Sequence, residues 1–102
     1  MKIYLFCSGG MSTSLLVTKM RKAAEAKGME HEIEAFAEST TGKLGPEADI
    51  VLLAPQIKFR EAAIRKELAG KFIQCINMRD YGLINGENVL NDALKGYEEF
   101  SK

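Results

Sequence analysis

The chain lacks an excess of charge of either sign. Its 102 residues carry 14 Lys and Arg against 14 Asp and Glu, and the isoelectric point is near 6.6. That balance argues against a general nucleic-acid binder, which needs a surplus of positive charge on one face. Long hydrophobic runs are missing too. The longest, around residues 50–55, is far below the roughly 20 residues of a spanning helix. The apolar stretch at residues 3–7 is too short for a secretory signal, and no small-residue cleavage site follows it. A cytoplasmic location is therefore expected. Cysteine is scarce, with Cys7 and Cys75 alone, and in a reducing compartment both are expected as free thiols. There is one histidine, His31, so two cysteines and one histidine at these positions make no zinc site. Neither Cys-x-x-Cys nor Asp-Pro occurs.

What is present is ordinary globular composition, 46% hydrophobic and 27% charged, at a length that suits one domain over residues 1–102. Strand-like and helix-like segments alternate. Residues 2–6 read as a buried strand. Residues 12–27 read as a helix, with Leu16, Met20, Ala23 and Ala24 on one face. Ser12 and Thr13 are its candidate N-caps and Gly28 its stop. Residues 32–36 alternate as an edge strand would. Residues 39–46 are mostly loop, with room for one helical turn. Residues 49–54 form a continuous apolar run, the pattern of a central parallel strand covered on both faces. A helix over 57–68 carries Ile57, Ile64 and Leu68 on one stripe. A fourth strand over 72–76, a connecting loop over 77–85 and a closing helix over 87–100 complete the order. The closing helix places Leu90, Ala93, Leu94 and Tyr97 on one face. This β-α-β-loop-β-α-β-α alternation predicts an α/β fold, an open parallel sheet with helices on both faces. Ligands of such sheets bind beyond the carboxyl ends of the strands, at the switch point in strand order.

The chemistry concentrates in Cys7-Ser8-Gly9-Gly10-Met11-Ser12-Thr13-Ser14. A cysteine ends the first strand, a small-residue loop follows, and a helix begins. The glycines allow a tight turn that points successive N–H groups inward. The first helical turn adds unpaired N–H groups and the positive end of the helix dipole. Together these suit a dianion such as phosphate, and the same field makes a sulfur nucleophile at Cys7 more reactive. A lone cysteine is usually a packing residue, and Cys75, among Phe72, Ile73 and Ile76, reads that way. At Cys7 the Gly-Gly loop and the hydroxyl cluster favour the reactive reading. His31 lies away from the strand ends and reads as a solvated surface histidine. Asp49 starts the third strand, the wrong end for catalysis.

Three reaction classes use such a loop. Cysteine phosphatases of the low-molecular-weight type place Cys-x5-Arg after the first strand, and the arginine clamps the phosphoryl group. Here that position is Thr13, either facing the phosphoryl group or merely capping the helix. A leaving-group acid of the Asp-Pro kind is also missing. Thiol redox chemistry lacks a nearby resolving cysteine. A phosphoryl relay, in which Cys7 accepts phosphate and passes it on, needs neither the arginine nor the acid. A response-regulator receiver would need an Asp at the end of the third strand, where Leu53-Ala54-Pro55 stands.

The segment Ile3-Tyr4-Leu5-Phe6-Cys7-Ser8-Gly9-Gly10-Met11-Ser12-Thr13-Ser14-Leu15-Leu16 resembles the start of the enzyme IIB components of the bacterial phosphoenolpyruvate-dependent sugar phosphotransferase system, in the lactose, cellobiose and diacetylchitobiose family. Residues 33–36, 48–57 and 80–86 continue the resemblance in order. It implies a four-stranded parallel sheet of order 2-1-3-4 with a phosphatase-like active-site loop after strand 1. It implies that Cys7 takes phosphate from a phosphohistidine on enzyme IIA. Cys7 then gives it to a disaccharide held by the membrane component, enzyme IIC, at the inner face of the membrane. Ser8, Gly9, Gly10, Met11, Ser12, Thr13 and Ser14 would form the phosphate-binding loop. No metal or organic cofactor is implied. The runner-up is a low-molecular-weight cysteine phosphatase or arsenate-reductase-like enzyme.

Overall fold

Continuous burial makes the first strand the centre of the molecule. In the computed structural model, which describes residues 1–8 and 11–102 and only the backbone of Met11 and Ser12, β1 is Lys2–Cys7, with Ile3 to Cys7 all buried. Ile3, Leu5 and Cys7 face one apolar cluster, and Tyr4 and Phe6 face a second. A strand can bury consecutive residues only when both faces of its sheet are covered. The same holds for β3 (Ile50–Leu53), whose four residues are all buried. The sheet is parallel, in the order β2-β1-β3-β4, with β2 spanning Glu32–Ala37 and β4 spanning Phe72–Cys75.

One face is covered by α1 (Met11–Ala26) and α5 (Gly86–Phe100), which bury Leu16, Met20, Val89, Leu90 and Ala93. The stripes expected on these helices are the ones that pack, with Leu94 and Tyr97 at the margin of the cluster. Helix α1 stops at Gly28, which takes φ of 71°. There Gly28 N–H donates to the Glu25 carbonyl at 3.0 Å and Met29 N–H to the Ala24 carbonyl at 2.9 Å, the paired bonds of a Schellman stop.

The other face is covered by α2 (Thr41–Leu44) and α3 (Glu61–Glu67) with the short helical turns around them. Three elements differ from the sequence reading. Residues 38–47 are a chain of helical turns rather than mostly loop, with α2 between two 3₁₀ turns. The helix expected over 57–68 begins as 3₁₀ turns at Pro55–Arg60, broken at Ile57, and is α-helical only over α3. Ile57, Ile64 and Leu68 are nevertheless buried together. The expected loop over 77–85 contains α4 (Met78–Gly82). Asn77 caps α4 by accepting from the backbone of Arg79 at 2.8 Å and Asp80 at 3.2 Å.

Candidate functional site

Strand order sets the location. From β1 the chain crosses to β2 on one side, and from β3 to β4 on the other. The two connections diverge at the carboxyl ends of β1 and β3, the switch point at which sheets of this kind bind ligands. Cys7 is the last residue of β1, opposite Ala37 of β2. Just before it, the Phe6 carbonyl accepts from Ala54 N–H at 2.9 Å. The Cys7 side chain is 5% exposed and lies on the α1 side of the sheet. Among the described residues its sulfur makes one long contact, 3.9 Å, to the Phe36 carbonyl.

The chain is helical again from Met11, so the first turn of a sixteen-residue helix follows directly on the cysteine loop. Its leading N–H groups have no intrahelical acceptors. No acidic residue stands in that turn, so no side-chain carboxylate on it offsets the positive end of the helix dipole. Of the loop residues singled out from sequence, Gly9 and Gly10 lie outside the described residues, as do the side chains of Met11 and Ser12. Ser8 and Ser14 are exposed. Because α1 already starts at Met11, Ser12 and Thr13 sit inside its first turn, and neither is its N-cap.

Thr13 behaves unlike its neighbours. It is 1% exposed, and its hydroxyl is hydrogen-bonded to the Tyr81 hydroxyl at 2.7 Å. The helix-cap alternative does not describe that side chain, whose bond runs to another element instead of to the leading N–H groups of α1. Tyr81 was missed because it falls in the segment read as a connecting loop. The available signal was an aromatic residue four positions after Asn77, a good N-cap.

Cys75 sits on the opposite face of the sheet from Cys7, two strands away, since Leu53 pairs with both Phe6 and Cys75. Two strand spacings are about 9.6 Å, beyond the roughly 7 Å across which a disulfide closes. Both thiols are free. Cys75 packs against the second cluster, as expected. It also donates to Glu61 Oε1 at 3.2 Å. Burial first, and then the Glu61 carboxylate, push its thiol up to about 11. In return, the Cys75 hydrogen bond and then that of Arg65 hold the Glu61 carboxyl below its ordinary value.

His31, expected as a solvated surface histidine, is half-buried. Both ring nitrogens are shut off from solvent and lack a partner among the described residues. Burial, then the nearby amino terminus, lower its pKa below 6.5. Asp49 lies at the amino end of the sheet, as expected, and accepts from Lys2 N–H at 2.8 Å. A groove of about 990 Å³ is also at that end, lined by Lys2, Arg21, His31 and Asp49 among others. It is therefore remote from Cys7, at the opposite end of β1. Among the described residues no group of three or more His, Cys, Asp or Glu side chains is placed to hold a metal ion, and no helix is long and apolar enough to cross a membrane.

Residues 2–92 match the family model described as "PTS system, Lactose/Cellobiose specific IIB subunit". The galactose-specific EIIB component of Lactococcus lactis subsp. cremoris (strain MG1363) is 44% identical over 100 residues, covering 89% of this chain and 91% of the relative. The cellobiose-specific EIIB component of Lactococcus lactis subsp. lactis (strain IL1403) has the same identity and coverage. The solution structure of the cellobiose-specific phosphotransferase IIB component from Borrelia burgdorferi superposes with a TM-score of 0.81 at 40% identity, over 97% of this chain and 93% of that one. The chain belongs to the lactose/cellobiose-specific IIB subunits of the sugar phosphotransferase system, and is a phosphotransferase component of sugar transport.

Proposed function

We propose that Cys7 is the phosphoryl carrier of this subunit. The observation that carries the reading is the position of Cys7, at the end of β1 at the β1/β3 switch point, directly ahead of the first turn of α1. The Cys7 sulfur attacks phosphorus in a phosphohistidine of enzyme IIA. A P–S bond forms, the P–N bond breaks, and its electron pair returns to the imidazole. Backbone N–H groups of Ser8 to Ser14 hold the phosphoryl oxygens. A hydroxyl of a disaccharide bound by enzyme IIC then attacks phosphorus, the hydroxyl loses its proton, and sulfur leaves as thiolate. The sugar is of the cellobiose, chitobiose or lactose type, and the membrane component selects it. Two relatives equal in identity to this chain carry the names of different sugars.

Water is not helped to compete. The position of a phosphatase arginine holds Thr13, whose hydroxyl is engaged with Tyr81, and no Asp-Pro acid exists in the chain. Large exposed apolar side chains lie on the segments that leave the sheet at this end: Leu15 after β1, Phe59 after β3 and Met78 after β4. They suit transient docking of the donor and acceptor proteins. The whole chain, 1–102, acts as one IIB domain in the cytoplasm and visits the membrane only with enzyme IIC.

The test is phosphorylation driven by a phosphoenolpyruvate relay, read by the mass and acid–base lability of the product. Cys7→Ser abolishes labelling and sugar uptake at unchanged fold, because a hydroxyl is a much poorer nucleophile than a thiolate near neutral pH. Cys75→Ser retains both. An active Cys7→Ser protein would remove the mechanism.

A further inference from the structure

We propose that Tyr81 is a positioning residue for phosphoryl transfer, fixing the first turn of α1 through its hydrogen bond to Thr13. The proposal rests on the reading of Cys7 as the phosphoryl carrier.

The contact joins residues 68 positions apart, hydroxyl to hydroxyl, at 2.7 Å and out of solvent. Thr13 is the third residue of α1, and Tyr81 belongs to α4, beyond β4. Burying two hydroxyls to make one bond between them gains little stability, since an apolar pair of the same shape packs as well. What the bond adds is direction. Near its start helix α1 is held by apolar packing of Leu16, Val17 and Met20, which is non-directional; its polar ties to other elements, from Arg21 to the Ile33 carbonyl at 2.9 Å and from Lys27, just past its end, to Asn91 at 2.8 Å, lie two turns or more further on. The Thr13–Tyr81 bond sets the rotation and height of the first turn.

Tyr81 is itself well anchored. Its backbone N–H donates to the Asn77 carbonyl at 2.9 Å, and Asn77 caps α4. The turn after α4 is closed by Ile84 N–H to the Tyr81 carbonyl at 3.1 Å and Asn85 N–H to the Asp80 carbonyl at 2.8 Å. Ile84 holds φ at 53°, a conformation that a β-branched residue adopts only when its surroundings impose it. The Tyr81 ring lies in the same apolar cluster as Cys7, Leu16 and Val17. The phenol is therefore a fixed post against which the phosphate-binding turn is set. Donors to a transferring phosphoryl group must be held to within about half an ångström, which side-chain packing alone does not guarantee.

The experiment is single-turnover phosphorylation of Cys7 by a phosphohistidine donor protein. It compares wild type, Tyr81→Phe and the double variant Thr13→Val/Tyr81→Phe, at a temperature where all are folded. Tyr81→Phe should lower the rate at saturating donor by about 10- to 100-fold, with half-saturation unchanged. The double variant, with neither hydroxyl left unpaired, should recover the thermal midpoint lost by Tyr81→Phe and still transfer slowly. A double variant that recovers midpoint and rate together would make the pair purely structural and overturn the proposal. So would a Tyr81→Phe protein with the wild-type rate. A wild type that takes no phosphoryl group on Cys7 would overturn the carrier reading, and this proposal with it.

Discussion

Replacing Gly86 by alanine tests a close helix–helix approach. Gly86 opens α5 and is buried against the middle of α1. A Cβ there would lie 2.6 Å from the carbonyl carbon and Cβ of Lys19 and from the backbone nitrogen of Met20. Ordinary contact begins near 3.4 Å, so 3.4 − 2.6 = 0.8 Å of separation has to be found. Two of the three atoms are backbone of a helix, and no side chain can swing away from them. Helix α5 must lift instead, opening the packing of Leu90 and Ala93, both fully buried. Overpacking of this kind costs about 1–3 kcal/mol. The better helix propensity of alanine offsets up to ~1 kcal/mol. The net loss should be about 1–2 kcal/mol, and at about 4–8 °C per kcal/mol for a chain of this size the thermal midpoint should fall by about 5–15 °C. Gly82→Ala is the control. It sits in α4, and its added Cβ would meet nothing within 4 Å, so it should stay within about 0.5 kcal/mol of wild type. Thermal and urea unfolding of the two variants decide. A Gly86→Ala midpoint at or above that of wild type would refute the close approach.

The Cys75 thiol, at about 11 against an ordinary 9.0, should have about 100-fold less thiolate near pH 8 and alkylate correspondingly slowly. In a Cys7→Ser background Glu61→Gln should speed the reaction, and alkylation of the parent at a free-thiol rate would contradict the Glu61 contact. His31 has a folded-state pKa below its unfolded value of 6.5, so the unfolded chain binds more protons between the two. Its contribution to stability is complete above pH 6.5 and is lost as pH falls through the lowered pKa. Urea midpoints at pH 7.5 and 5.5 should show that loss, and His31→Gln should remove it. A loss of the same size in His31→Gln would place its origin elsewhere.

The residues themselves determined most of the order of elements and the place of Cys7 at the end of β1. Strands β1 and β3 were legible as continuous apolar runs because both their faces are covered, and α1 and α5 because each is long enough to show a buried stripe. Gly28 marked its helix end because φ of 71° there suits glycine. The Cys7 segment stood out in the sequence because its glycines, hydroxyls and cysteine are adjacent in the chain. Tertiary structure decided what adjacency and periodicity do not encode. Helix α4 has five residues, too few for a period of 3.6 to appear, and depends on Asn77 and on docking for its existence. The break at Ile57 follows from carrying one buried stripe through two short helical pieces after Pro55. The pairing of Thr13 with Tyr81, the bond from Cys75 to Glu61 and the burial of the His31 ring nitrogens each depend on contacts made only when the elements dock. Burial along one element leaves a pattern in its own residues, whereas a bond between two elements leaves none until the sheet brings them together.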